Sequence, residues 1–387
     1  MNRTASELPK SGSIVIIGGG VMGVSTAYQL AKAGVKDVVL LDKASLGSGS
    51  TCKAAGGVRA QFSDRANIEM GARSLEVFEN FGKLFDQEID LHQDGYLFLL
   101  DSAETVARFE KDVALQNELG VPSAMIGVRE AKKLSPLIET DGLLGAAYSP
   151  TDGHCTPESV VLGYATAARR LGARLVTNCE VTDIESVDGQ IVAVVTAAGR
   201  IETDTVICAA GAWSKRVGAF VGVDLPVTPI RRQIVITEPI RDLPESPFTI
   251  DFGTSFYFHR ESNGLLIGMS DPDETPGFKM SRSTDWLPRL GETISRRAPS
   301  LSDVGLASGW AGLYEMTPDN NALIGEASTV GRFIYATGFS GHGFLLGPAM
   351  GEVLRDLYFG DKPFVDISGF DAERFEGSGA RPELNIV

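Results

Sequence analysis

The sequence predicts an α/β protein, a Rossmann-type βαβ domain with an antiparallel-sheet domain inserted into it. Three observations predict this. An apolar run, Ile14 to Ile17, leads into glycines at 18, 20 and 23 in GxGxxG spacing and then a helical pattern over about 21–33. A second apolar run, Val38 to Leu41, ends in an acid, Asp42. Two later stretches, 225–238 and 256–269, are β-rich with no crossover helix, as an antiparallel sheet requires.

The totals agree with two domains. A chain of 387 residues is long for one core. Its net charge of −15, from 50 acids and 35 bases, argues against nucleic acid as a partner. The four cysteines (Cys52, Cys155, Cys179, Cys208) have no CxxC or His-pair spacing. They read as reduced thiols, not a disulfide framework or a zinc site, so no metal is expected. The polar start, Met1 to Lys10, lacks the apolar segment of a secretory signal, and no apolar run reaches membrane-span length. The expectation is a soluble cytoplasmic protein.

Taken in order, the βαβ start is followed by a loop, 46–59, dense in Gly, Ala, Ser and Thr. Such a run offers backbone donors and few side chains, which suits wrapping a ligand; a mobile surface loop is the alternative. Apolar residues at helical spacing predict one amphipathic helix over 64–85. Asp94-Gly95 between apolar stretches predicts a hairpin turn. Helices are expected over 103–119 and 128–134, then one over 157–171 with Thr156 as N-cap and Pro157 in its first turn. Short strands fill 174–198, turning at Asp188-Gly189. A buried strand and helix follow from Thr205 to Trp213 and beyond. Phe256 to Met269 turns at Asn263-Gly264, and a helix spans 284–298. A strand over 332–336 and a helix over 347–357 close the chain. The implied division assigns 1–90, 145–225 and 310–387 to the first domain, and 91–144 and 226–309 to the second.

The glycine spacing has a physical reading. Gly18 permits the tight turn, Gly20 lets a pyrophosphate approach the backbone, and Gly23 lets helix and strand pack closely. The helix N-terminus supplies N–H groups and partial positive charge, and Asp42 can accept from a ribose hydroxyl. A dinucleotide site follows.

Five motifs in order, GGGVMG, GSGST, CAAGAW, WAGLYEMTPD and GFSGHGF, give a resemblance over nearly the whole chain. It resembles flavoenzymes of the D-amino-acid-oxidase superfamily, in the sarcosine oxidase and dye-linked proline dehydrogenase β-subunit group. The resemblance implies FAD. Gly18, Gly20, Val21, Met22 and Gly23 would take the pyrophosphate, with Asp42 and Lys43 bordering the adenosine ribose. Ser50 and Thr51 would reach the phosphates and ribityl chain, while Ala54, Ala55, Gly56 and Gly57 would run beside the flavin ring. Val181 would contact adenine, and Gly211 and Trp213 would flank the cofactor. Gly312 and the segment Gly341, His342, Gly343, Phe344 and Leu345 would close around the ring, backbone N–H groups stabilising its reduced form.

The implied reaction is hydride transfer from a substrate carbon to flavin N5. For an amine or N-alkylated amino acid it gives an imine that hydrolyses. Arg59 would pair with a substrate carboxylate, although an ordinary ion pair would also explain it. Tyr314 would face the substrate or serve as a core tyrosine, and His342 would pack, hydrogen-bond or move a proton. Tyr257 and His259 lie where the family places pocket walls. Cys52 lies close enough to the loop for flavin attachment or a redox role, or simply fills space.

Four positions depart from the monomeric sarcosine oxidases. Gly312 stands where they attach the flavin through cysteine, so FAD is expected to be non-covalent. Leu266 and Ser270 replace a lysine that promotes reaction with oxygen and a nearby histidine, and Leu345 replaces a carboxylate-binding lysine. Molecular oxygen or a partner redox subunit therefore both stay open as electron acceptor, as does homo- or hetero-oligomer formation. Three readings compete: amine oxidation, oxidation of a 2-hydroxy acid or other alcohol, and a non-catalytic flavoprotein subunit.

Overall fold

The computed structural model describes residues 8–377 and 379–386. A six-stranded sheet runs in the order Leu323–Glu326, Phe333–Thr337, Val206–Cys208, Ile14–Ile17, Val38–Leu41, Arg174–Val176. All neighbours are parallel except the edge strand Leu323–Glu326. The uninterrupted apolar runs follow from burial on both faces. Ile14, Ile16, Val38 and Leu40 pack under the helices Val21–Lys32, Arg65–Glu79, Pro157–Arg170 and Gly343–Phe359. Val15, Ile17, Val39 and Leu41 meet the opposite layer, an antiparallel sheet of Val181–Val187, Gln190–Thr196 and Gly199–Glu202.

A second sheet has eight strands in the order Leu306–Met316, Thr228–Thr237, Gly264–Gly268, Phe256–Glu261, Phe248–Asp251, Tyr96–Leu100, Gly145–Ser149, Ala124–Ile126. It is antiparallel apart from one parallel pair, Tyr96–Leu100 with Phe248–Asp251, where two distant chain segments meet. Leu97, Leu99, Val235 and Ile267 pack on one face with Leu290 and Ile294 of helix Leu287–Arg297. The other face carries Tyr96, Phe248, Ile250 and Tyr257.

Several local expectations are corrected. The helix expected over 64–85 breaks at Asn80 into Arg65–Glu79 and Phe81–Phe85. No hairpin forms at Asp94-Gly95; Gly95 takes φ +91, its N–H donates to the Asp152 carbonyl, and strand Tyr96–Leu100 goes on to non-local partners. Thr156 occupies the N-cap position, but its hydroxyl makes no capping bond. The last helix starts at Gly343, four residues early. Gly145–Ser149 and Leu306–Met316 pair in the eight-stranded sheet. Strand Phe248–Asp251 was not anticipated. All four cysteines are free. Among the described residues, no helix is long and apolar enough to cross a membrane.

Candidate functional site

Between the carboxyl ends of the parallel strands and the aromatic face of the eight-stranded sheet lies a cleft of about 380 Å³. The end of an open parallel sheet is where such folds place ligands.

One end is built largely from backbone. Gly18 has φ +113, and a Cβ there would stand 2.2 Å from the Ala209 carbonyl oxygen. A Cβ on Gly23 would stand 1.9 Å from the Gly18 carbonyl oxygen, so only glycine lets strand and helix approach this closely. Gly20 opens helix Val21–Lys32 without a capping side chain. The Thr51 hydroxyl accepts from Val21 N at 3.1 Å, and the other first-turn amides, Met22 among them, remain for an anion. The Asp42 carboxylate accepts from Gly19 N and Ala44 N, both at 2.7 Å, which fixes it with lone pairs to spare. Lys43 Nζ lies 3.5 Å above the Trp213 ring, and Val181 and Gly211 line the same end.

The loop after Asp42 is tied down from two sides. Ser50 Oγ donates to the Leu313 carbonyl at 2.7 Å, and Trp310 Nε1 donates to the Lys53 carbonyl at 2.9 Å. Gly56 takes φ +77 against the Cys155 carbonyl, and Ala54, Ala55 and Gly57 complete this wall. A Cβ on Gly312 would stand 2.6 Å from Lys53 Cβ, so glycine keeps that strand close to the loop.

From the opposite side comes helix Gly343–Phe359, its N-cap His342 making no capping bond. Gly341, with φ +106, lies against the Tyr314 ring. Gly343, Phe344 and Leu345 line the cleft with the helix N-terminus among them. His342 is 2% exposed, and neither ring nitrogen has a hydrogen-bond partner among the described residues. Burial first, and then the charge of Arg59, pushes its pKa down to about 3, so the ring is neutral.

The other end is built from side chains. Arg59 is 5% exposed and lies 4.2 Å over the Phe62 ring. Nη1 donates to the Gln61 carbonyl and Nη2 to the Asn385 carbonyl at 2.6 Å. Tyr314, Tyr257, Tyr96 and Arg232 complete this chamber. Burial raises the pKa of all three tyrosines, so their hydroxyls keep their protons.

Three sequence candidates do not line the cleft: Gly23, which packs helix against strand, and His259 and Cys52. His259, two residues along the strand from Tyr257, passes behind the loop instead of facing the chamber. Its Nε2 lies 2.9 Å from the Ala55 carbonyl and its Nδ1 2.7 Å from the Arg260 carbonyl. Its ring lies 4.1 Å from that of His154, tilted by 32°, beside a separate cavity that Leu266 also lines. Burial holds its pKa down to about 4. Cys52 packs beneath Gly47, its thiol pushed up to about 11 by burial.

Among the lining residues that sequence reasoning missed are Tyr96, Arg232 and Glu315. Glu315 is half-buried with no cation beside it; desolvation raises its pKa to about 7 against hydrogen bonds from Phe339 N, Thr337 Oγ1 and Gly338 N. An Arg-Arg pair in an otherwise apolar strand was the available signal for Arg232, since alternation sends one to each face.

A glycine cradle, two helix N-termini and an orphaned imidazole around one elongated cleft define a dinucleotide-dependent enzyme class, and these features fit FAD. A family model, DAO, described as FAD dependent oxidoreductase, matches residues 13–357, and the chain belongs to that family. It is 30% identical to the mitochondrial sarcosine dehydrogenase of Homo sapiens over 389 residues, 96% of this chain and 42% of that protein. It is 30% identical to the mitochondrial dimethylglycine dehydrogenase of Rattus norvegicus over 382 residues, 93% of this chain and 44% of that protein. The chain thus spans less than half the length of these relatives. Among solved structures it resembles L-proline dehydrogenase from P. horikoshii, with TM-score 0.91, 34% identity, and coverage of 97% of this chain and 100% of that one.

Proposed function

We propose that this protein oxidises a secondary or tertiary amino acid, of the sarcosine, dimethylglycine or proline kind, to an imine in an FAD-dependent reaction. The observation that carries the proposal is the chamber beside the loop Ala54–Gly57. It combines an aromatic wall with two guanidinium groups, Arg59 and Arg232, neither of which forms a carboxylate ion pair among the described residues. Cations without counter-ions in a buried chamber suit an anionic substrate group, and a guanidinium matches a carboxylate. The substrates that the relatives are named for, sarcosine, dimethylglycine and L-proline, support an amine as the donor.

Bound FAD supplies the two-electron acceptor. Gly18–Gly23 and Asp42 would hold its nucleotide half, and Ala54–Gly57 with Gly341–Leu345 its reactive half. Tyr96, Tyr257 and Tyr314 exclude water from the donor carbon and limit its orientation. His342 is neutral and can accept a hydrogen bond at one nitrogen while donating from the other.

The test is anaerobic mixing of FAD-loaded protein with sarcosine, dimethylglycine, L-proline and a 2-hydroxy acid, following flavin absorbance. Bleaching by an amine is expected. Bleaching by the hydroxy acid alone would contradict the proposal.

A further inference from the structure

We propose that Arg232, and not Arg59, grips the substrate carboxylate. This rests on the amine-oxidation reading and names the group that anchors its substrate.

The two arginines differ in what their donors already do. Both Nη atoms of Arg59 are committed to backbone carbonyls, those of Gln61 and Asn385. Its plane lies on Phe62, and Phe98 is 5.5 Å away. Arg59 thereby fastens residue 385 to the loop at residue 61. Arg232 is the opposite case. Its Nε is buried without a partner, and its one hydrogen bond among the described residues is a long one, from Nη1 to the Arg231 carbonyl at 3.2 Å. The Nε–Nη2 edge, one of the two edges on which a guanidinium takes a carboxylate bidentately, makes no hydrogen bond among the described residues.

The strand explains why the Arg232 side chain lines the chamber. Residues alternate, so Arg231 points away and forms a buried ion pair with Glu274 at 2.6 Å. Arg232 points the other way and pairs in register with Gly312. Because that neighbour has no side chain, the guanidinium lies diagonally across to Tyr314, 5.2 Å from its ring. It also borders a more open cavity of about 850 Å³, with Ser270 and Asp271 on its rim, so it stands where the chamber meets the exterior. A carboxylate arriving from that side reaches Arg232 with the rest of the molecule directed toward Tyr257 and the loop Ala54–Gly57.

The test uses FAD-loaded protein and pyrrole-2-carboxylate, a planar carboxylate with no oxidisable C–H beside nitrogen, with pyrrole as its uncharged control. Binding is measured by calorimetry in wild type, Arg232→Gln, Arg232→Lys and Arg59→Lys, with flavin content confirming each fold. Arg232→Gln is expected to weaken the carboxylate by about 30-fold or more and pyrrole by less than about 2-fold, because only the charge pair is lost. Arg232→Lys recovers part of the loss, and it decides the matter should Arg232→Gln fail to retain FAD. Unchanged carboxylate binding in the Arg232 variants overturns the proposal. So does a loss confined to Arg59→Lys, or a wild type that holds pyrrole as tightly as its carboxylate. These affinities need no turnover, so failure of amine oxidation itself shows separately, as wild-type flavin that no amine bleaches.

Discussion

The two ends of the cleft are made of different material. The end proposed for the nucleotide is mostly backbone: a glycine turn, the N-terminus of helix Val21–Lys32, and one carboxylate already clamped by Gly19 N and Ala44 N. The end proposed for the substrate is side chains, Tyr96, Tyr257, Arg232 and Tyr314 from four strands of the eight-stranded sheet and Arg59 from the segment just after the loop. Backbone donors are fixed by the fold and suit a cofactor that never changes. Side chains can be exchanged without disturbing the sheet, which lets one scaffold serve different amines. Substitutions at the first end should therefore cost fold and cofactor, and those at the second mainly affinity for substrate.

The largest effect is expected at Gly23. In Gly23→Ala the new methyl would stand 1.9 Å from the Gly18 carbonyl oxygen, backbone that cannot step aside. Purified protein should lack flavin absorbance and lose about 3 kcal/mol or more in thermal or denaturant melts. Retention of FAD would break the distinction at once. Arg59→Gln comes next. It strips a buried cation from two carbonyls and should cost about 2–4 kcal/mol of stability by denaturant titration. A variant of wild-type stability but raised KM would move Arg59 from brace to substrate ligand.

Glu315 sharpens the comparison, since it is a side chain near the backbone-built end. Its pKa is raised by burial from 4.5 to about 7, so the folded state favours the protonated form. That contribution is complete below about pH 4.5 and is lost as pH rises through about 7. Glu315→Gln should remove this slope and be the more stable form at pH 8 by about 2 kcal/mol, read from melts across pH 4.5–8.5. Asp152 and Asp112, also raised by burial to about 6, titrate in both proteins, so the difference between them isolates Glu315. The smallest effect is expected for Tyr314→Phe. The Tyr314 hydroxyl has no hydrogen-bond partner among the described residues, so stability should shift by under about 1 kcal/mol while KM changes a few-fold.

The same contrast explains what the sequence revealed. Gly18, Gly20, Gly23 and Asp42 were legible because backbone sites need particular residue types at short, fixed spacings. GFSGHGF was legible as a motif, although the helix it opens was placed four residues late. The chamber was only half legible. Arg232 depends on Gly312 and Tyr314, about eighty residues away, and on Glu274 taking its neighbour Arg231. Glu315 is set apart only by the fold, which brings Thr337 and Gly338 to its carboxylate and no cation. Tyr257 and His259 have the same parity on one strand, yet the strand runs past the loop's edge, leaving one in the chamber and the other beneath Ala55. Asp94-Gly95 carried a sound local turn signal that lost to the parallel pairing of Tyr96–Leu100 with Phe248–Asp251, a contact across about 150 residues.

The central claim is that the chamber presents the C–H beside an amine nitrogen to the cofactor. Its most direct test is stoichiometry. FAD-loaded protein is titrated anaerobically with the best amine from the substrate screen, and reduced flavin and the carbonyl product of imine hydrolysis are quantified in the same sample. One equivalent of carbonyl product per flavin reduced is the predicted result. Flavin reduction by a 2-hydroxy acid, with no amine able to produce it, would contradict the account.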